Sequence, residues 1–159
     1  MSEHKTNVMR ILEKENIPYL THEYPHGKEA VDGETVAALL GQDVRVVFKT
    51  LVTRGADQNF YVFVIPVNQE LDLKKAAKAA NVKSVAMIHV SDITKVTGYV
   101  RGGCSPIGMK KKYPTFFDES AKENPNIIVS AGKIGYQIDL APQNLARLTG
   151  GVFAPLTLS

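Results

Sequence analysis

The stretch VRVVFKTLVTRGADQNFYVFVIP, residues 44–66, is the strongest indication of the fold expected for this chain. It holds two runs rich in β-branched and aromatic residues, 44–53 and 60–66, and a polar segment with one glycine separates them. Such runs favour strands, and a short polar connection between two of them is typical of a β-hairpin. We therefore expect a largely buried antiparallel hairpin.

Apolar residues at helical spacing lie on both sides of this hairpin. They predict helices over residues 5–15, 32–40, 71–81, 91–97 and 143–148. Leu39 and Leu73 are expected to face inward from two of these helices. Shorter segments with strand character occupy residues 19–24, 115–117, 126–129 and 136–140. Because strands and helices do not alternate regularly, the pattern indicates an α+β fold with a mixed or antiparallel sheet.

Length and composition fit one compact domain over residues 1–159. The chain has 159 residues, of which 44% are hydrophobic and 22% charged, and it contains no repeat or long linker. Its apolar runs are too short to cross a bilayer, and its first residues lack the apolar block of a signal peptide. A single cysteine suits a reducing compartment, so we expect a cytoplasmic protein with no membrane partner. The net charge of +3 permits a polyanionic partner without requiring one.

One lysine stands inside the most hydrophobic predicted strand. Lys49 lies between Phe48 and the pair Leu51–Val52, and a lysine is rarely buried without a partner. A lysine at a strand end or edge would simply reach water along its stem. A lysine at the bottom of a cleft would instead bind a phosphate or stabilise a developing oxyanion. The local pattern leaves both interpretations open.

A glycine-rich segment, GYVRGGCSPIG at residues 98–108, is the second feature that could carry chemistry. Gly102 and Gly103 leave room for backbone N–H groups to approach a ligand closely, and Pro106 stiffens the exit of the segment. An ordinary turn would also explain the glycines. The segment is not a P-loop, because no Gly-Lys-Ser/Thr sequence follows it.

Cys104 in this segment suggests a thiol nucleophile, but no base stands at a spacing that implies partnership with it. The four histidines are scattered along the chain, at His4, His22, His26 and His89. A small apolar filler is the favoured interpretation of Cys104. The histidines and acids also lack the spacing of metal ligands, so we expect neither a metal nor another cofactor.

Further polar residues lie near glycine segments. Three lysines at residues 110–112 directly follow the first segment, where they could contact phosphates or form an ordinary solvated surface. A second glycine segment, SAGK at residues 130–133, brings the Ser130 hydroxyl and the Lys133 ammonium close together. Asp139 lies among apolar residues of a predicted strand and needs a hydrogen-bond donor if it is buried.

The order of these motifs resembles the YbaK family, which belongs to the YbaK/prolyl-tRNA synthetase editing-domain superfamily. Four blocks match in order and spacing: FKTLV at 48–52, the glycine segment at 98–108, KK and PT at 110–115, and VSAGKxG at 129–135. The resemblance implies a compact α+β fold with a mixed, mostly antiparallel, barrel-like sheet flanked by helices. It also implies a trans-acting enzyme that deacylates mischarged Cys-tRNA(Pro) in concert with prolyl-tRNA synthetase, with Cys-tRNA(Cys) as a further candidate substrate.

The resemblance also implies roles for individual residues. Lys49 matches the essential, catalytic lysine of the family. The positions that match the substrate pocket are Tyr24, Thr50, Gly102, Gly103, Cys104, Ser105, Pro106, Ser130 and Asp139. The lysines expected to contact the acceptor end of the tRNA are Lys110, Lys111, Lys112 and Lys133. Cys104 occupies a position that the Gly-x-x-x-Pro motif of the family leaves free.

An editing enzyme of this kind can cleave an ester without a nucleophile of its own. The thiol of a cysteinyl substrate can attack the ester carbonyl and leave as a cyclic thiolactone. Lys49 would favour the thiolate, and backbone N–H groups at residues 102–105 would bind the oxyanion.

Three alternatives stay open. The first is a hydrolase for another mischarged tRNA, such as Ala-tRNA(Pro). The second is a non-catalytic module that binds tRNA or prolyl-tRNA synthetase, and the third is an unrelated enzyme that uses Cys104 as its nucleophile. The sequence does not fix the oligomeric state.

Overall fold

A computed structural model of the protein describes residues 5–25 and 32–158. The helices in these ranges are α1 (Asn7–Lys14), α2 (Gly33–Leu40), α3 (Leu73–Ala80), α4 (Ile93–Thr97) and α5 (Pro142–Thr149). The strands are β1 (Leu20–Glu23), β2 (Phe48–Gly55), β3 (Phe60–Pro66), β4 (Val85–Met87), β5 (Thr115–Asp118), β6 (Ile127–Ser130), β7 (Tyr136–Leu140) and β8 (Val152–Ala154). Short 3-10 helices occupy Val90–Asp92 and Glu119–Glu123. The predicted α+β class is confirmed.

The hairpin of β2 and β3 is antiparallel, as predicted, with Lys49 opposite Ile65. Its first strand begins at Phe48, whereas the sequence predicted a start at residue 44. The residues before it form a turn instead, because Asp43 binds backbone N–H groups that a strand would direct to its neighbours. Its carboxylate accepts a hydrogen bond from the N–H of Arg45 at 2.9 Å, and its carbonyl oxygen accepts one from the N–H of Val46 at 3.0 Å.

The strands form two sheets. One has the order β4-β2-β3-β5-β8 and the other the order β1-β7-β6. The pairs β3–β5 and β5–β8 are parallel, and the remaining pairs are antiparallel. A single isolated bridge between Val47 and Ile128 joins the sheets, because β6 separates from β2 directly after it. The expected barrel-like sheet is therefore two connected sheets that do not close into a barrel.

The main core lies between the two sheets, α1 and α5. Its fully buried side chains include Leu12, Val64, Phe117, Ile138 and Leu145. A second core forms where α3 covers the other face of the larger sheet. There Ala76 and Ala77 pack against Phe63 and Ile65.

The expected inward positions of Leu39 and Leu73 were wrong. Leu39 is 58% exposed and Leu73 is 44% exposed. Helices α2 and α3 turn alanines toward the sheets instead, with Ala37 and Ala76 fully buried. Small side chains let a helix lie close to a sheet, and the larger leucines then remain at the edges. In the described part of the chain, no helix combines the length and the apolar character that a membrane span requires.

Helix α2 is held close to the end of β3 by a glycine. A Cβ atom at Gly33 would lie 2.4 Å from Cγ1 of Val67, so no other residue fits there without a shift. The carboxylate of Asp32 caps the helix by accepting a hydrogen bond from the N–H of Thr35 at 2.9 Å. Gly41, with a φ of 65°, ends the helix.

We expect a Phe117→Ala substitution to lower the free energy of unfolding by about 3–5 kcal/mol, because it leaves a cavity in the main core. Phe117 is fully buried, and its ring centre lies 5.8 Å from that of Phe153. Urea denaturation measures the change. Val152→Ala is the control, since Val152 is 55% exposed and should cost about 0.5 kcal/mol or less. A loss below about 1 kcal/mol for Phe117→Ala would contradict this account of the core.

Candidate active site

A cavity of about 480 Å³, here called the main cavity, lies where β2 and β6 separate. Residues of β2, α2, β6, β7, α4 and the glycine segment at 98–108 line it. At one end of the gap, the N–H of Ile128 donates to the carbonyl of Val46 at 2.8 Å. At the other end, the N–H of Ile88 donates to the carbonyl of Val52 at 3.3 Å. Between these two bonds, no described strand pairs with this edge of β2.

The open edge of β2 offers backbone groups to the main cavity. Alternate residues of a strand direct their N–H and C=O groups to the same side. Since the carbonyls of Val46 and Val52 point to this edge, the register directs those of Phe48 and Thr50 to it as well. A ligand in the main cavity can therefore bond to the main chain of β2 as well as to side chains.

Lys49 and Thr50 both line the main cavity. As consecutive residues of β2, they direct their side chains to opposite faces of the strand. The Nζ atom of Lys49 donates a hydrogen bond to the carbonyl of Val67 at 3.3 Å. This bond fixes the ammonium and leaves further N–H donors for a ligand, since an ammonium has three. The hydroxyl of Thr50 is buried and has no hydrogen-bond partner among the described residues. Such a group costs about 1–3 kcal/mol, which a polar ligand could offset.

The glycine segment reaches the same cavity through Gly102 and Cys104. Lys49 and the segment thus share one cavity, which is necessary if both act on one ester. The N–H of Gly103 donates to the carbonyl of Val100 at 2.9 Å, so that N–H is already used. Within residues 5–25 and 32–158, nothing accepts a hydrogen bond from the N–H groups of Gly102 and Cys104. These two groups are the candidate oxyanion donors.

The two glycine segments pack against each other. A Cβ atom at Gly103 would lie 3.1 Å from the backbone nitrogen of Ile134 and 3.3 Å from Cα of Lys133. Behind the first segment, the hydroxyl of Tyr99 donates a hydrogen bond to the carbonyl of Ile107. Both contacts restrict the backbone that faces the main cavity.

The smaller sheet forms the wall opposite β2. Ser130 lines it at the end of β6, and its Oγ atom accepts a hydrogen bond from the N–H of Gly132 at 3.1 Å. Its own hydroxyl proton can therefore point to a ligand. Tyr24 lines the wall directly after β1, where its backbone N–H donates to the carbonyl of Gly135 at 3.0 Å.

Several residues expected in the pocket do not line the main cavity. Gly103 packs against the backbone of residues 133 and 134 instead. Ser105 is fully buried, and its Oγ atom accepts a hydrogen bond from the N–H of Ile107 at 3.3 Å. Pro106 lines a separate cavity of about 220 Å³. These three residues shape the loop rather than contact a ligand in the main cavity.

Asp139, which the sequence predicts in the substrate pocket, does not line the main cavity either. Its carboxylate accepts a hydrogen bond from Nδ2 of Asn126 at 2.9 Å and lies 2.9 Å from Nε2 of His22. Both partners belong to neighbouring strands or their ends, and none of the three lines the main cavity. Asp139 therefore has the donors that its burial requires and connects the strands of the smaller sheet.

The predicted tRNA-binding lysines lie outside the main cavity, on the surface. Lys110 donates to the carbonyl of Lys95 at 3.1 Å, near the end of α4. Lys111 and Lys112 line the separate cavity that contains Pro106. The Nζ atom of Lys133 lies 5.8 Å from the ring centre of Tyr136. All four side chains are exposed, and their contact with tRNA stays a prediction.

Sequence reasoning missed part of the lining. The missed residues include Arg101, Met87, Val90, Ile93 and Gln137. An arginine directly before Gly102 was a visible signal. Gln137 gave no such signal, because its partner Gln42 is far away in the sequence. In the fold, the Oε1 atom of Gln137 accepts a hydrogen bond from Nε2 of Gln42 at 2.8 Å.

The thiol of Cys104 is a poor nucleophile. Burial raises its pKa to about 11, and a hydrogen bond with Thr97 acts in the opposite direction. At neutral pH the group is therefore almost entirely a thiol, and the thiolate is the reactive form. His89 lines a different cavity, and His4 and His26 lie outside the described residues. In the described ranges, no group of three or more His, Cys, Asp or Glu residues could hold a metal ion.

Comparison with known proteins identifies the class to which this fold and cavity belong. Residues 27–148 match the aminoacyl-tRNA editing domain family, and the chain belongs to that family. The predicted family and the predicted class of aminoacyl-tRNA editing enzyme are confirmed.

Individual relatives make the similarity more specific. The chain is 50% identical over 156 residues to EbsC of Enterococcus faecalis, named as a candidate Cys-tRNA(Pro)/Cys-tRNA(Cys) deacylase, and the match covers 98% of this chain and 95% of EbsC. It is 34% identical over 86 residues to the proline–tRNA ligase of Fervidobacterium nodosum, covering 54% of this chain and 14% of the ligase. A solved structure described as a candidate trans-editing enzyme for prolyl-tRNA synthetase matches with a TM-score of 0.81. That match covers 100% of this chain and 99% of the other at 24% identity, so it supports the fold alone.

The raised pKa of Cys104 makes alkylation of the native protein strongly dependent on pH. We expect the rate with iodoacetamide to rise with a midpoint near pH 11 in the native protein, and near the ordinary thiol pKa of about 8.5 in the urea-unfolded chain. Because the folded state holds the proton more tightly, the free energy of unfolding should fall as pH rises between these two values. Cys104 is the single cysteine, so mass spectrometry reports it directly. Equal midpoints in the native and unfolded states would contradict the assignment.

The contact between the glycine segments makes Gly103→Ala costly. The added methyl group should displace residues 133 and 134 and lower the free energy of unfolding by about 1–3 kcal/mol. Gly41→Ala is the control for a glycine substitution that destabilises without a steric contact. Its φ of +65° disfavours alanine, but no atom lies within 4 Å of the new Cβ. NMR spectra should show shifted amide signals at residues 133 and 134 for Gly103→Ala alone. Unshifted signals in that variant would exclude the contact.

Proposed function

We propose that the protein deacylates Cys-tRNA(Pro) in trans, as one editing domain that acts in the cytoplasm alongside prolyl-tRNA synthetase. The observation that carries the proposal is the shared cavity of Lys49 and the Gly102–Cys104 backbone. Membership of the editing-domain family supports aminoacyl-tRNA as the substrate class. The similarity to EbsC, at 50% identity over 156 residues, supports a cysteinyl group and makes Cys-tRNA(Cys) a second substrate to test.

The composition of the main cavity favours chemistry that the substrate itself supplies. The thiol of Cys104 is protonated at neutral pH, and among the described residues no histidine lines the main cavity. The described lining therefore offers neither a cysteine thiolate nor an imidazole base. A cysteinyl ester brings its own sulfur nucleophile. The protein then has to fold the ester back on itself and stabilise charge.

The proposed step conserves atoms and electrons. The thiol of the substrate loses its proton, and its sulfur attacks the ester carbonyl carbon. A C–S bond forms, the carbonyl oxygen gains negative charge, and the C–O bond to the ribose then breaks. The ribose oxygen takes up a proton, so free tRNA and a cysteine thiolactone leave. Holding the reacting atoms in contact can lower the barrier by several kcal/mol, up to about 7–11 kcal/mol in well-oriented systems.

Each part of the main cavity has a distinct task in this step. The ammonium of Lys49, fixed by its bond to Val67, favours the substrate thiolate electrostatically. The N–H groups of Gly102 and Cys104 stabilise the oxyanion. The hydroxyls of Thr50 and Ser130 hold the polar groups of the amino acid.

The same chemistry explains selectivity without a tight steric filter. An alanyl ester has no nucleophile on its side chain, and a seryl hydroxyl ionises far less readily than a thiol, whose ordinary pKa is about 8.5. A cavity that admits all three amino acids would still release only cysteine at a useful rate. The exposed lysines at residues 110–112 and 133 supply charge for the acceptor end of the tRNA.

We expect Lys49→Ala to reduce the deacylation rate of Cys-tRNA(Pro) by about 100-fold or more, as loss of one preorganised charge-stabilising donor typically does. The matched control is Lys78→Gln, which removes an exposed charge from α3. Cys104→Ala should keep turnover to within about tenfold, because its thiol is not the nucleophile. Release of radiolabelled amino acid from purified tRNA measures each rate.

A substrate panel separates the proposal from its rivals. Cysteinyl-tRNA(Pro) should be cleaved, whereas S-methylcysteinyl-, alanyl- and seryl-tRNA(Pro) should persist. Cleavage of the S-methyl substrate at the parent rate would mean hydrolysis by water. Saturable binding without turnover of any substrate would mean a binding module.

A further inference from the structure

The main cavity is larger than the proposed reaction at Lys49 requires. Its volume of about 480 Å³ is in the range that holds a whole drug-sized ligand, about 300–1,000 Å³. A cysteinyl group has only a handful of heavy atoms. The substrate must therefore fill the remaining space with another part, or water must.

The extra space runs along β2, away from Lys49. Thr53 pairs with Met87 on β4, four residues farther along the strand than Lys49. At about 3.3 Å per residue, the distance from Lys49 to this pair is about 13 Å. Met87 lines the main cavity, so the main cavity extends that far from the proposed position of the ester.

This far end is apolar, and it is more open than the end near Lys49. Met87 is 48% exposed and Val90 is 57% exposed, whereas Phe48 and Val129 are 3% and 1% exposed. Ile93 also lines the far end and is partly buried. Exposed apolar side chains that are grouped at a cavity are typical of a ligand-binding surface. We call Met87, Val90 and Ile93 the apolar rim.

Arg101 adds a positive charge to the same cavity. Its side chain is exposed, and in the described part of the chain it forms no ion pair or hydrogen bond. A guanidinium presents several N–H donors in a plane, which suits the oxygens of a phosphate. An apolar shelf and a free guanidinium together match a nucleotide, which has a flat base and a phosphate.

We propose that the apolar rim binds the adenine of the 3′-terminal nucleotide of the tRNA and that Arg101 binds its 5′ phosphate. This inference rests on the proposed function, because an ester held at Lys49 fixes where the attached ribose lies. The base then extends from the ribose into the open end of the main cavity, and the phosphate lies toward Arg101, the residue directly before Gly102. Aliphatic side chains and the polarizable thioether of Met87 pack well against a purine face.

Binding of adenosine 5′-monophosphate tests the subsite without any catalysis. NMR titration should show weak binding to the parent protein, and Arg101→Gln should weaken it about tenfold or more. Adenosine without phosphate should bind Arg101→Gln and the parent equally. Val90→Asn should weaken both ligands. Lys78→Gln and Val152→Asn are the matched controls, since Lys78 and Val152 are exposed and do not line the main cavity.

Kinetics with Cys-tRNA(Pro) provide the second readout. Arg101→Gln and Val90→Asn should raise KM with kcat within about twofold of the parent, because the subsite binds the ground state and the transition state alike. The slope of log KM against log salt should decrease by about one for Arg101→Gln alone, as expected when one phosphate contact is lost. A structural defect would not change that slope selectively.

The two proposals fail separately. Equal affinity of the parent, Arg101→Gln and Val90→Asn for adenosine 5′-monophosphate would overturn the subsite, whatever the deacylation rates. Selective loss of nucleotide affinity in those variants would support the subsite. That support would hold even if no aminoacyl-tRNA were deacylated, a result that would end the proposed function alone.

Discussion

The separation of β2 from β6 after the single bridge of Val47 and Ile128 is the constraint on which the site depends. A strand edge carries backbone groups that need partners, and here water or a ligand must supply them between the bonds at Val46 and Val52. Lys49 and Thr50 lie on this interrupted edge. The fold thus places a charge, a buried hydroxyl and main-chain donors around one gap.

Glycine determines how the opposite side of the gap is built. Gly103 lets one loop lie directly on the backbone of residues 133 and 134, so the two segments support each other without intervening side chains. Loops held in this way can present N–H groups in fixed positions, which is what stabilisation of a transient oxyanion requires. Because the pKa of Cys104 is raised to about 11, the nearby thiol adds no competing nucleophile. In the proposed mechanism, the substrate therefore supplies the nucleophile.

Local signals in the sequence predicted most of the fold and several of the residues that line the main cavity. The hairpin, the helices and the strand Tyr136–Leu140 followed from residue pattern, and the family followed from the order of four motifs. Strands β4 and β8 were missed because three residues are too few to show alternation. Asp139 could not be placed, since its partner His22 lies 117 positions away in the chain. The pairing of Gln137 with Gln42 and the apolar rim were invisible for the same reason: only the folded chain brings them together.

The interrupted edge of β2 also has a consequence for solubility. An uncovered strand edge is a template on which other chains can add a strand, and proteins protect such edges to avoid aggregation. Here the hydrogen bonds to Ile88 and Ile128 block both ends, and the exposed groups lie inside a cavity. Another polypeptide could pair only with the few residues of β2 between these two bonds, so it could form only a short ladder of backbone hydrogen bonds. The recess that forms the proposed site therefore also protects this edge from pairing with another chain.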